Sequence, residues 1–246
     1  SSGGVIRYLE EQGIGIQIGR IRIPLVPAAV IFDLGFINHR VRPGFDDGYA
    51  AAKSASVEFK TGSVGAGTGA TAAKLLGQMF SIKGGIGTAS VEVSNGATVG
   101  ALIVVNAIGD VVNPDTGETV AGPLTENGFD NSVELMIKTP SKDTGFFRNT
   151  TVGIVATDAK LDKVGATRLA MAGQDGIALA IRPAHTANDG DTIFGLSTGT
   201  HTEHTSGDTL HAAALKAVSE AIMNAIDSAE TLGGVLSAKD AKARFV

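Results

Sequence analysis

Asn95-Gly96 is the feature that most narrows the folds open to this chain. On one side of it stands Thr88-Ala89-Ser90-Val91-Glu92-Val93, and on the other Thr98 to Asn106, both strand-like in composition. An Asn-Gly pair between two such runs encodes a tight hairpin, because both residues tolerate the positive φ that the turn demands. We therefore predict an antiparallel hairpin here, and with it a sheet that other elements must cover. Asp110-Val111-Val112 and Glu118-Thr119-Val120 flank a Pro-Asp-Thr-Gly turn and predict a second hairpin.

The cover is legible as helices. Asp162 to Ile181 reads as a helix closed by Arg182-Pro183, since the residue ahead of a proline is driven out of helical conformation. From about Asp208 onward, Leu215, Val218, Ile222 and Ile226 recur at helical spacing, and Gly233-Gly234 is the predicted stop. Gly4 to Gln12 reads as the end of a helix stopped by Gly13, and Gly48 to Val57 as a short alanine-rich helix. Ile14, Ile16 and Ile18 alternate, as do Ile21 and Ile23, which predicts strands about Gly19. Val152 to Val155 and Asp191 to Ser197 read as further strands. Hairpins with amphipathic helices at both ends predict an α+β layered fold with an antiparallel sheet.

Composition limits what such a fold does. At 246 residues, 43% hydrophobic and 18% charged, the chain can build one sizeable core. A net charge of −5 with no Lys/Arg run gives no footprint for nucleic acid. The absence of cysteine excludes disulfides, zinc–thiolate sites and thiol catalysis. No apolar run approaches the ~18 residues of a membrane span, so no membrane partner is expected and the cytoplasm is the expected location. The chain opens on Ser1-Ser2-Gly3-Gly4 with a helix already under way, and we expect an upstream segment.

The chemistry concentrates at Gly145-Phe146-Phe147-Arg148-Asn149-Thr150-Thr151. A polar run from Asn113 to Lys142 reads as the chain's one linker-like segment and leads into it, and an apolar strand follows at once. A hydroxyl residue thus stands where a connection meets a rigid strand. A threonine hydroxyl needs a base, and a free amine on the same residue is one. An α-amine titrating near 7.8 is about one-third neutral at pH 7.5, whereas an unperturbed lysine near 10.4 is neutral about once in a thousand. Using that lysine costs about 4 kcal/mol, so the amine wins unless burial depresses the lysine strongly. On this reading the Asn149–Thr150 bond is cut by the protein itself and Thr150 becomes the nucleophile. Asn149-Thr150-Thr151 also reads as an ordinary strand start, or as an N-x-[ST] glycosylation acceptor, which the apolar strand after it disfavours.

Other motifs are weaker. Gly65-x-Gly67-x-x-Ala70, with Glu92 further on, nominally fits a dinucleotide fingerprint, but Glu92 lies inside a hairpin strand. Close backbone packing or substrate approach at Gly67 is the preferred reading. His201, His204 and His211 miss the spacing of a zinc helix, so no metal is expected.

Gly65-Ala66-Gly67-Thr68-Gly69-Ala70-Thr71-Ala72-Ala73-Lys74, then Lys83-Gly84-Gly85-Ile86-Gly87-Thr88-Ala89-Ser90, then Asn149-Thr150-Thr151, then His185-Thr186-x-x-Asp189-Gly190-Asp191-Thr192 together resemble peptidase family S58. That family includes β-aminopeptidases, D-aminopeptidases and 6-aminohexanoate-oligomer (nylon) hydrolases. The resemblance covers nearly the whole chain. It implies a four-layer αββα sandwich of N-terminal-nucleophile-hydrolase-like type. It also implies that a single domain cleaves itself into a large fragment, 1–149, and a small fragment, 150–246, which stay together. Amide hydrolysis by the new N-terminal residue follows, with a small amide or peptide substrate, no cofactor, and a homo-oligomer, a tetramer by the family's habit. Threonine after asparagine resembles the nylon-hydrolase branch, the aminopeptidase branch having serine after glycine. Phe32, however, stands where those nylon enzymes are expected to carry tyrosine.

Matched motif to motif, Lys74 and Asn106 are the implied catalytic residues of the large fragment, and Asp189 and Asp191 those of the small one. Phe32 and Gly67 are the implied substrate neighbours. Lys74 can lower the amine's pKa and hold the hydroxyl, or be a solvated lysine. Asn106 can donate to an oxyanion, or only end a strand. Asp189 and Asp191 can orient the amine or Lys74, or only shape a turn. Three alternatives stand beside the hydrolase: an aminopeptidase of the same family, an acyltransferase of ornithine acetyltransferase type, and a binding protein that never cleaves.

Overall fold

The computed structural model describes residues 1–138 and 149–245. The stretch Gly145-Phe146-Phe147-Arg148 and the end of the run to Lys142 lie outside them. The chain forms two compact units, residues 1–30 with 38–60, and residues 31–37 with 61–246.

The smaller unit holds helix α1 (Ser2–Glu11), strands β1 (Ile16–Ile18) and β2 (Ile21–Ile23), and helix α2 (Phe45–Lys53). The isoleucine strands pair antiparallel, Ile16 opposite Ile23 and Ile18 opposite Ile21, with Gly19 at positive φ in the turn. Tyr8 and Tyr49 meet edge to face at 5.8 Å where the two helices pack.

In the larger unit the chain runs through β3 (Thr71–Ala72), β4 (Ile82–Lys83), β5 (Ile86–Glu92), β6 (Thr98–Val104), β7 (Asp110–Val112), β8 (Thr119–Ala121), β9 (Leu124–Thr125) and β10 (Gly128–Phe129). It continues with α3 (Ser132–Lys138), β11 (Val152–Thr157), α4 (Lys163–Ala180), β12 (Ile181–Arg182), β13 (Thr192–Ser197), α5 (Gly207–Asp227) and α6 (Ala238–Lys242). The Asn-Gly hairpin forms as predicted: β5 and β6 pair antiparallel from Ile86↔Val104 to Glu92↔Thr98, and Gly96 takes φ 82° in the turn. The second hairpin is β7–β8, with a bulge at Val111/Val112.

Four strands lie in the order β13-β11-β6-β5, and a second sheet has the order β12-β7-β8. The expectation of a purely antiparallel sheet is corrected here. β11 pairs antiparallel with β6 but parallel with β13, because α4 carries the chain back across the sheet between them. Helices α4 and α5 cover one face. Their backbones come so close that a Cβ on Gly87 would lie 2.1 Å from the Ala221 oxygen, and one on Gly195 2.1 Å from that of Ala166. Glycine at these strand positions is what lets helix and sheet touch. The core between them contains Ile103, Val155, Ile177, Val218, Ile222 and Ile226, all buried.

Helix ends follow local chemistry. Asp162 caps α4 by accepting the Gly165 N–H at 2.7 Å, and Ser206 caps α5 through Thr209 N at 3.1 Å. Ile181 leaves the helix predicted for it and pairs with Val111 in the second sheet. α5 stops at Asp227, six residues before Gly233-Gly234, which form the turn of the Leu232↔Val235 bridge. The predicted linker is also corrected: residues 119–138 carry β8, β9, β10 and α3. Here β8 pairs with β7 and β10 with β9, Val120 and Ala121 are buried in the core, and Asp110 accepts the Ser132 N–H at 2.9 Å and its hydroxyl at 2.5 Å. No helix among the described residues is long and apolar enough to cross a membrane.

Candidate active site

Thr150 sits two residues ahead of β11, where the sheet pairing continues past the strand. Asn149 bridges Asp189 in parallel, its N–H donating to the Asn188 oxygen at 3.2 Å. Gly190 N–H donates to the Asn149 oxygen at 2.8 Å, and Thr192 N–H to the Thr151 oxygen at 2.9 Å. On the other side Thr150 N–H donates to the Asn106 oxygen at 3.1 Å. The peptide on each side of Thr150 is therefore clamped between the end of β6 and the loop before β13. Within this clamp the Thr150 hydroxyl donates to the carbonyl of its own predecessor, Asn149, at 2.5 Å. Thr150 is 8% exposed, Asn149 1% and Asn106 0%, so bulk water does not compete for these contacts.

Lys74 reaches the same place from the glycine-rich segment. Ala73 adopts φ 55°, a left-handed conformation uncommon for a residue with a side chain, and Lys74 follows it into the interior. Its Nζ donates to Asn106 Oδ1 at 2.7 Å and to the Asn106 carbonyl at 3.2 Å. The nitrogen of Thr150 and the amine of Lys74 thus share one acceptor. Burial pushes the Lys74 amine down to about 7, against the opposing pull of Asp189 and Asp33. The condition under which a lysine competes as base is met, because a buried ammonium has lost its water.

Asn106 is the hub. Its Oδ1 accepts from Lys74 and from the Thr71 N–H at 3.2 Å, and its Nδ2 donates to the Phe32 carbonyl at 3.3 Å. The side-chain amide is committed to Phe32, while the donor on the Asn149 carbonyl is the backbone N–H of Gly190. Phe32 enters through its main chain, its side chain being 45% exposed. Gly67 serves close packing: a Cβ there would fall 2.2 Å from the Gly62 oxygen and 2.6 Å from Ile86 N.

The two aspartates do different things. Asp191 Oδ1 accepts the Thr151 N–H at 2.7 Å, and its Oδ2 takes the His185 backbone N–H at 3.2 Å and faces His185 Nδ1 at 3.0 Å. It therefore fixes the residue after Thr150. Asp189 Oδ2 accepts from the N–H and hydroxyl of Thr186 at 3.0 and 2.7 Å. Its Oδ1 is buried with no hydrogen-bond partner among the described residues, and burial holds the carboxyl above its ordinary range.

Sequence reasoning passed over two groups. Lys83, 0% exposed, donates to the carbonyls of Gly67, Ala70 and Gly84 at 2.7, 2.7 and 2.8 Å and so ties down the glycine-rich segment that delivers Lys74. Three acceptors require all three protons of an ammonium, though burial lowers its pKa to about 8. In the sequence it stands at the head of the Lys83-Gly84-Gly85 motif, with no role given to it. Gly190 had the appearance of a turn glycine. Among the described residues no group of His, Cys, Asp or Glu is placed to hold a metal ion.

The family model for "Peptidase family S58" matches residues 1–239. An uncharacterized aminopeptidase of Mycobacterium leprae is 38% identical over 96% of this chain and 70% of its own length. A crystal structure of a Pyrococcus horikoshii protein superposes with a TM-score of 0.64 at 27% identity, covering 99% of this chain and 68% of that one. The L-aminopeptidase D-Ala-esterase/amidase of Ochrobactrum anthropi, described as a variant of the N-terminal-nucleophile hydrolase fold, gives a TM-score of 0.53 at 23% identity. That superposition covers 81% of this chain and 57% of that one. The mixed helix-and-sheet architecture described above is the fold shared with these solved structures.

Proposed function

This chain belongs to peptidase family S58, whose reaction is the hydrolysis of amide bonds, and from that membership we propose that it is a self-cleaving N-terminal-threonine aminopeptidase. The observation that carries the proposal is the buried Thr150 hydroxyl held 2.5 Å from the Asn149 carbonyl oxygen. In maturation Thr150 Oγ1 attacks the Asn149 carbonyl carbon, the C–N bond to Thr150 breaks, and the nitrogen takes up a proton. The resulting ester is hydrolysed by water, leaving a carboxylate on Asn149 and a free amine on Thr150.

The base differs between the two stages. In the precursor the Thr150 nitrogen is an amide and accepts no proton, so the depressed amine of Lys74, which shares the Asn106 carbonyl with the Thr150 N–H, takes the hydroxyl proton in its place. After the cut the α-amine of Thr150 lies beside the same carbonyl and serves as its own base in turnover. Asp191 holds the strand behind it, and the unpartnered Oδ1 of Asp189 is available to the new ammonium. The name of the Mycobacterium leprae relative favours release of N-terminal residues from peptides. Phe32 supplies no side-chain hydroxyl for a nylon-type oligomer.

Intact mass under denaturing conditions, together with hydrolysis of aminoacyl-p-nitroanilides, tests this. Wild type should appear as fragments 1–149 and 150–246, while Thr150→Ala stays whole and inactive. Normal fragments from Thr150→Ala would refute the proposal.

A further inference from the structure

The carbonyl of Asn149 is gripped from two sides, by the Thr150 hydroxyl at 2.5 Å and by the backbone N–H of Gly190 at 2.8 Å. The hydroxyl cannot hold this oxygen through self-cleavage, because it becomes the attacking group and gives up its proton. As Oγ1 bonds to the Asn149 carbon, the π pair of the carbonyl moves onto that oxygen, which then carries the negative charge. The group left facing it is the Gly190 N–H, a fixed main-chain donor already 2.8 Å from that oxygen before attack. The side chain of Asn106 does not serve here, its Nδ2 being given to the Phe32 carbonyl.

We propose that the Gly190 backbone N–H is the oxyanion donor for cleavage of the Asn149–Thr150 bond, an assignment that rests on the self-cleavage reading above. The donor is held by the fold. Asn149 N–H binds the Asn188 oxygen, Asp189 N–H binds the Thr186 oxygen, and Thr192 N–H binds the Thr151 oxygen, so the loop meets the scissile peptide in strand register on both sides of Gly190. Space explains the glycine. A Cβ at 190 would lie 3.1 Å from Thr150 Oγ1 and 3.5 Å from its methyl carbon, pressing on the nucleophile. With glycine between Asp189 and Asp191, the Thr150 side chain need not give the few tenths of an ångström that a Cβ would ask of it.

The test replaces only the donor. A full-length chain with glycolate at position 190, made by cell-free translation, has an ester oxygen where the N–H stood and gains no bulk. Wild type and this variant are followed by denaturing mass spectrometry for conversion to fragments 1–149 and 150–246. Loss of one oxyanion donor predicts cleavage about 10²–10³-fold slower. The same ester in a Thr150→Ala chain, compared with Thr150→Ala alone by circular dichroism and thermal unfolding, reports whether the fold is kept. A wild type that cuts, with an ester variant that is folded and cuts within about threefold of it, overturns the assignment of Gly190. A wild type that never cuts overturns the self-cleavage reading instead, and the assignment falls with it. Gly190→Pro, which also lacks the N–H, should be slowed at least as much; a folded proline variant cutting at the wild-type rate gives the same refutation.

Discussion

Replacing Lys74 by methionine in an uncleavable Thr150→Ala chain should abolish most of a pH-dependent gain in stability. Lys74 is 4% exposed, and burial brings its amine from 10.5 to about 7. The unfolded chain keeps that proton to about pH 10.4. Between pH 7 and 10 the unfolded state therefore binds more protons than the folded one, and stability rises with pH there. Over pH 7 to 9 one such residue contributes about 2 kcal/mol, under the ceiling of about 1.4 kcal/mol per pH unit for a single proton. Lys83, lowered to about 8 by burial, adds a slope of the same sign, but it is present in both chains and cancels in the comparison. Methionine strands no acceptor, because Asn106 Oδ1 keeps the Thr71 N–H and the Asn106 carbonyl keeps the N–H of residue 150. Urea unfolding at pH 6, 7, 8 and 9 measures both chains. The Lys74 chain should gain about 2 kcal/mol on the methionine chain between pH 7 and 9. Parallel curves across that range would refute the claim that a largely neutral amine is buried beside Asn106.

Two further outcomes are expected. The rate of self-cleavage, read by denaturing mass spectrometry across pH 5 to 9, should climb with pH up to about 7 and then level, because Lys74 must lose its proton to act as base; a rate flat across this range excludes it. Asp110, raised to about 6 by burial, charges at a cost above that pH, so the chain gains about 2 kcal/mol from it as pH falls from 6 to 4. Asp110→Asn, which keeps an acceptor for Ser132, should lack that gain relative to wild type in chemical unfolding, and an equal gain in both would refute it.

Local features were the ones legible in the chain before its structure. The Asn95-Gly96 hairpin is encoded by two residues and their flanks, and the cap at Asp162 by one carboxylate and the amide three residues on. Thr150 could be found because the hydrophobic pattern changes abruptly beside it. The parallel pairing of β11 with β13 could not, since it depends on how α4 returns across the sheet and not on either strand's composition. The burial of Lys74 and Lys83 was hidden for a related reason: lysine is a surface residue by habit, and only the fold shows carbonyls converging on their amines. Residues 119–138 look loose because their strands, of two or three residues each, are too short to leave a hydrophobic period to read. Gly190 carries nothing in its side chain, so its use becomes visible only through its main-chain partner.

A cut ahead of Thr150 would run a seam down the middle of the four-stranded sheet, with β13 and β11 belonging to one piece and β6 and β5 to the other. Six residue pairs, from Val152↔Val104 to Thr157↔Val99, span that seam. Neither piece alone could close its sheet, and each would present a bare strand edge ready to join others of its kind. On the self-cleavage proposal, the break is expected to follow folding, when the neighbouring strand is already zipped in place. It also means that halves produced separately should clump and not find one another.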